Sequence, residues 1–201
     1  MKTTFMIVSF LFISVSAFNQ SDMTKRRIKA IEGLWKLDEN GNVTYQRIVD
    51  SLNLSKTELY NKAMDYFVLN YGDANSVIQN KDIENGIILG KGLFKSVHFS
   101  SAVLIFYTID AWHILKIEVK DGRARITLSL TQYEVTISGG DTPDNHSSQP
   151  ISYYYPINPK GSQKNLFGEA FVKSHIRATE TLDNIEKALK SGSGKKANDN
   201  W

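Results

Sequence analysis

The sequence predicts an α+β domain built from antiparallel strands and two helices. Three observations carry that prediction. Trp112 to Leu130 (WHILKIEVKDGRARITLSL) alternates apolar and polar residues in two runs on either side of Asp121-Gly122, the period of a half-buried antiparallel pair. Ser55–Tyr71 and Leu166–Leu189 each repeat apolar residues at threes and fours, the period of a helix with one buried face. The order along the chain is strand, helix, several strands, helix, which is the α+β pattern and not the strict strand–helix alternation of a parallel sheet.

The 201 residues suit one domain with ends. A hydrophobic content of 41% with 22% charged residues is enough for a packed core. The net charge is +3, too balanced for the basic footprint of a dedicated nucleic-acid binder. There is no cysteine. Disulfides, thiolate zinc sites, a cysteine nucleophile and a lipid anchor on an N-terminal cysteine are therefore excluded.

Residues 1–17 read as a signal peptide. Lys2 supplies the positive start, Phe5 to Ile13 the apolar run, and Val15-Ser16-Ala17 the small residues of a cleavage site after Ala17. The apolar run falls short of the roughly 20 residues that span a bilayer, so no membrane span is expected after cleavage. The protein is then exported, to the periplasm or beyond. Residues 18–32, with Lys25, Arg26, Arg27 and Lys29, read as a solvated leader.

A single domain is expected over residues 33–190. Asp38–Asn42 is a polar turn containing Asn-Gly, and Val43–Val49 alternates as a first strand. Ser55 and Glu58 have capping-box spacing, and Leu54 with Leu59 matches a hydrophobic staple. Leu59, Tyr60, Ala63, Met64, Phe67, Val68 and Tyr71 form the apolar stripe of the helix that follows, and Gly72 is placed to end it. Val77–Gln79 and Gly86–Phe94 are further strands. Gly90 and Gly92 share a face of the second; with no helix start behind them they mark a bend or a close backbone approach, not a phosphate loop.

Val97–Ile109 contains the continuous apolar run Val103–Tyr107. It extends the next strand, adds one, or lies as a flap, and if exposed it is a sticky edge. Within the hairpin, Leu115, Ile117, Val119, Ala124, Ile126, Leu128 and Leu130 form one face, and Lys116, Glu118, Arg125 and Thr127 the other. Tyr133–Ile137 continues the second strand. Ser138–Pro150 is a loop by composition; its Asp141, Asp144, Asn145 and His146 lack metal-site spacing. Of Tyr153, Tyr154 and Tyr155, at least one faces inward. The final helix carries Phe167, Phe171, Ala178, Leu182, Ile185 and Leu189 on one stripe, with Ser174 or His175 filling its gap. Residues 191–201 read as a disordered tail.

The stretch Gly33 to Arg125 resembles an uncharacterised family of exported bacterial domains of unknown function with a TATA-box-binding-protein-like fold. The matching pieces are Gly33-Leu34-Trp35, the helix Ser55–Phe67, Asn75–Ile78, Gly86–Gly92 and Ile117–Arg123. The resemblance implies a TBP-like curved antiparallel sheet with two helices packed on one face, in β-α-β-β-β-β-α order, and an export route. It transfers no catalytic residue. Ala124 stands where that family usually has an aromatic, and the Val97–Ile109 and Tyr133–Pro159 regions are particular to this chain.

No catalytic, cofactor-binding or metal-binding residue can be named from motifs. His98, His113, His146 and His175 are scattered, and G-x-S-x-G and H-E-x-x-H are absent. The expectation is a non-enzymatic binding domain of the bacterial cell envelope or secreted space, for a lipid, glycan, peptide or protein, with no cofactor and no nucleic acid. The alternative is a hydrolase whose acid–base pair forms only in three dimensions, with Glu118 beside His113 or Asp110 as the candidate.

Overall fold

The structure, a computed structural model, describes residues 21–71, 73–102, 104–139 and 143–191. The signal-like segment 1–17, Gly72, Val103, Asp141 and the tail from residue 192 onward lie outside the described residues.

The chain begins with α1 (Asp22–Ala30), then β1 (Lys36–Leu37), β2 (Val43–Val49), α2 (Lys56–Asn70), a helical turn α3 (Ala74–Val77) and β3 (Ile78–Asp82). Three long strands follow, β4 (Ile87–Ala102), β5 (Ile105–Lys120) and β6 (Arg123–Ser138), then β7 (Asn145–Pro150), a 3-10 turn and α4 (Lys164–Lys190). The strands form one antiparallel seven-stranded sheet in the order β1-β2-β6-β5-β4-β3. Strand β7 pairs with β6 at Gln132–Ile137, beyond the Ala124–Leu130 stretch that pairs with β2.

Period-two patterning fixes which side of each strand is buried. In β5 the residues Ile109, Ala111, His113, Leu115, Ile117 and Val119 are buried, and the intervening Asp110, Trp112, Ile114, Lys116 and Glu118 are half-buried. Helices α2 and α4 pack on the buried side, α2 over β4 and β5 and α4 across β2, β6 and β4. The opposite side of the sheet has no helix on it among the described residues.

Asp121 and Gly122 join β5 to β6, with Gly122 at φ +72. The turn also anchors the start of α2. Gly122 donates to Leu54 O (2.9 Å), Leu52 N donates to Gly122 O (2.8 Å), and Lys56 N donates to Asp121 Oδ1 (2.7 Å). Ser55 and Glu58 form the capping box that their spacing predicts. Gly90 and Gly92 are close-approach positions: a Cβ at Gly90 would lie 2.5 Å from the Phe67 ring, and one at Gly92 2.6 Å from both His113 and Tyr71.

Several expectations change. Residues 22–30 are not a free leader. Ser21 caps α1, Thr24 is buried and donates to Glu169 Oε1 (2.7 Å), and Arg27 pairs with Glu169 at 2.9 Å on α4. The buried face of α2 includes Tyr66, whereas Val68 is 58% exposed. The strand expected at Val77–Gln79 starts at Ile78, behind α3. The Val97–Ile109 region is neither flap nor separate strand; it prolongs β4 and β5 into one hairpin. Part of the expected loop Ser138–Pro150 is β7, whose side chains are all exposed. It is held by backbone pairing to β6, which composition does not register.

Candidate functional site

The helix-free side of the sheet gathers residues from four strands. Ile48 of β2, Ile87, Leu89, Lys91 and Leu93 of β4, Ile114, Lys116 and Glu118 of β5, and Arg125 and Thr127 of β6 are all exposed or half-buried there. Lys116, Glu118, Arg125 and Thr127, which the sequence assigns to the solvated side of the hairpin, do stand together on it. At the end near the β5–β6 turn the charges satisfy one another. Arg125 Nε and Nη2 each donate to a Glu118 oxygen at 2.7 Å, and Lys116 Nζ lies 3.1 Å from Glu118 Oε1. The Arg125 hydrogen bond is the main force holding the Glu118 carboxyl below the usual range. Charges paired in this way hold register and leave little for a ligand.

The other end is different. Beyond the Trp112 level the sheet is irregular on two strands. Thr131 is an extra residue on β6, and Lys95–Val97 oppose the single residue Asp110, with Ser96 at φ +51 and its N–H on Asp110 Oδ1 at 2.6 Å. Such bulges bend a strand and re-aim side chains. Here they bring Trp112, Gln132, Glu134, Lys91 and the β7 residues His146 and Ser148 around a shallow groove of about 340 Å³. Trp112 Nε1 donates to Glu134 Oε2 at 2.9 Å, which fixes the indole. Lys91 Nζ stands 4.6 Å from the ring centroid, a cation–π contact. His146 Nδ1 meets Thr136 Oγ1 at 3.0 Å. The groove thus holds one pinned aromatic plane ringed by a carboxylate, an amide, an ammonium, a hydroxyl and an imidazole.

Glu118 and His113 are not brought together. Glu118 lies on the helix-free side and His113 on the helix side, buried between sheet and α2. His113 stacks on Phe94 with centroids 4.0 Å apart, and its Nε2 is 3.0 Å from the Tyr71 hydroxyl. Burial lowers its pKa to about 4. Asp110 is taken by Ser96 N–H. His175 is buried beside the Tyr45 hydroxyl at 3.2 Å, and His98 is half-buried. Among the described residues no three His, Asp or Glu side chains converge on a metal position, and no helix is long and apolar enough to cross a membrane. With no cysteine in the sequence, a lipid anchor through cysteine is excluded.

Sequence reasoning missed the groove. Trp112 was legible as part of the hairpin, but the partners come from β4, β6 and β7, and β7 has no strand signature. The Tyr-rich segment divides between packing and exposure. Tyr154 is buried and stacks on Phe167 at 3.8 Å, while Tyr153 is 60% exposed.

Comparison with known proteins bears on this fold. Residues 45–134 match a family model described as "Domain of unknown function (DUF4468) with TBP-like fold". The match runs from β2 through Glu134, so it includes Lys91, Trp112, Gln132 and Glu134 and stops short of His146 and Ser148. A solved DUF4468 family protein from Bacteroides ovatus ATCC 8483 is similar with a TM-score of 0.53 at 13% identity, covering 82% of this chain and 95% of that one. A TBP-like protein from Parabacteroides distasonis ATCC 8503 is similar with a TM-score of 0.55 at 15% identity, covering 78% and 97%. No curated protein matches. Residues 45–134 thus match the DUF4468 domain, and the fold of the chain is α+β and TBP-like.

Proposed function

We propose that this protein is a non-enzymatic binding domain of the cell envelope or secreted space, and that its ligand is a glycan held on the helix-free side of the sheet. The observation that carries the reading is the groove at Trp112. A sugar ring offers an apolar face and a rim of hydroxyls. An indole fixed by a hydrogen bond gives the face a rigid, preorganised partner. Gln132, Ser148, His146 and the second oxygen of Glu134 supply donors and acceptors for the rim. A few placed polar groups around an aromatic surface are what orients a small ligand. Lys91 adds selectivity for an acidic sugar, since its ammonium already stands over the indole.

The test is a glycan array probed with the full chain. The wild type is expected to retain a defined set of glycans, and Trp112→Ala to weaken that binding by about tenfold or more, equivalent to roughly 1.4 kcal/mol, with an unchanged circular dichroism spectrum. An array on which the wild type retains nothing, or on which Trp112→Ala binds as well as the wild type, overturns the glycan reading.

A further inference from the structure

We propose that the chain forms a two-fold dimer in which the free edge of β4, residues 98–102, pairs antiparallel with the same edge of a second copy. This does not depend on the glycan reading, because none of the residues involved lines the Trp112 groove. Strand β3 covers β4 only over Ile87–Gly90. From there to Ala102 the outer side of β4 has no strand beside it among the described residues. Among the described residues, the backbone groups of residues 98–102 make no backbone hydrogen bond outside the β4–β5 ladder. In an antiparallel strand alternate residues direct their N–H and C=O groups outward, so this edge is a template for a further strand.

The other edges of the sheet are blunted and this one is not. Strand β7 is short and polar and ends in Pro150, β3 carries Lys81 and Asp82, and β1 has two residues and leaves uncovered Tyr45–Val49 of β2, a stretch that carries the charged Arg47. Val97–Ile109 contains no Asp, Glu, Lys or Arg. Self-pairing sets like against like, and a stretch with no formal charge does so without repulsion. A charged peptide would gain nothing electrostatic here, which favours a second copy as the occupant.

The side chains fit the symmetric register. Phe99 and Phe106 stand on the helix-free side, 57% and 40% exposed, with their rings near-parallel and 6.1 Å between centroids. Pairing about an axis at Ser100 sets Phe99 of each copy opposite Ser101 of the other, large against small. Ser101 already pairs with Phe106 in its own chain, so the small serine leaves room for Phe99 of one copy to approach Phe106 of the other. Four exposed phenyl rings then cover one another, an isologous contact that removes apolar surface from water.

Sedimentation equilibrium of the full chain over a range of concentrations tests this. The wild type is expected to reach twice the chain mass. Ser101→Lys and Phe99→Lys, both at exposed positions, are expected to raise the dissociation constant by at least tenfold with unchanged circular dichroism and melting temperature. Amide hydrogen exchange in residues 98–102 is expected to be slow in the wild-type dimer and fast in either variant. A wild type that stays monomeric overturns the proposal, as does a dimer that both substitutions leave intact. A monomer that co-sediments with phosphatidylcholine vesicles through Phe99 overturns it too, and assigns the hairpin tip to a bilayer.

Discussion

His113 shows how a single residue's role is set by the side of the strand it occupies. Its odd position in β5 turns it toward α2, where Phe94, Tyr71 and the bare backbone of Gly92 close around it. The ring is held neutral, its pKa lowered to about 4 by burial. An ordinary histidine of the unfolded chain titrates near 6.5. Above that value both states are neutral and the native state keeps its full stability. As pH falls from about 6.5 to about 4 the unfolded chain takes up the proton and the native ring does not, so stability drops, by about 3 kcal/mol from this residue alone. Urea unfolding at pH 7 and pH 4.5 checks it. The wild type is expected to lose about 2–3 kcal/mol more than His113→Phe over that interval; equal losses would show that the native imidazole titrates normally. Glycine spacing was the legible part of this environment, since Gly-x-Gly within a strand signals close approach. The approaching side chains, Phe67, Tyr71 and His113, were not legible, because they come from elements distant in the sequence.

Among the elements, the β5–β6 hairpin was the most readable and has the widest reach. Its alternation gave the strands, and Asp-Gly gave the turn. What the alternation could not show is that the same turn receives Leu52 N–H, donates to Leu54 O and accepts from Lys56 N–H, so that sheet and α2 are fixed together. A side chain at Gly122 must adopt φ +72 with its Cβ 3.2 Å from Leu52 O. Gly122→Val is expected to cost about 2 kcal/mol or more, measured as a lower thermal midpoint. Arg123 makes a solvent-exposed pair with Asp50 at 3.1 Å, so Arg123→Ala is expected to stay within about 0.5 kcal/mol of the wild type. An unchanged midpoint in the valine variant would contradict the turn geometry. The two elements that sequence reasoning missed share a physical cause. Helix α1 docks through Thr24 and Arg27 onto Glu169, and β7 docks through backbone hydrogen bonds to β6. Neither carries a periodic apolar pattern, so neither announces its partner.

For the molecule as a whole, the controlling fact is the asymmetry of the sheet. One side is sealed by α2 and α4 over a continuous core of Tyr45, Phe67, Ile117, Leu128, Tyr133 and Phe171. The other side carries a bulged, aromatic and polar surface. The sequence announced both sides of the hairpin, but the bulges that create the groove depend on how β4, β5 and β6 are registered. Export belongs to the same proposal. Mass spectrometry of the protein recovered outside the cytoplasm is expected to show Phe18 as the first residue; a mature chain that retains Met1 would contradict the signal-peptide reading.

The proposed function stands on ligand binding at the helix-free side around Trp112. The most direct measurement is a two-dimensional NMR titration of the full chain with a glycan retained on the array. Perturbed signals are expected to cluster at Lys91, Trp112, Gln132, Glu134 and Ser148, with α2 and α4 unmoved. Perturbations centred on the helices, with the Trp112 indole signal unchanged, would place the ligand away from the groove and overturn the proposed function.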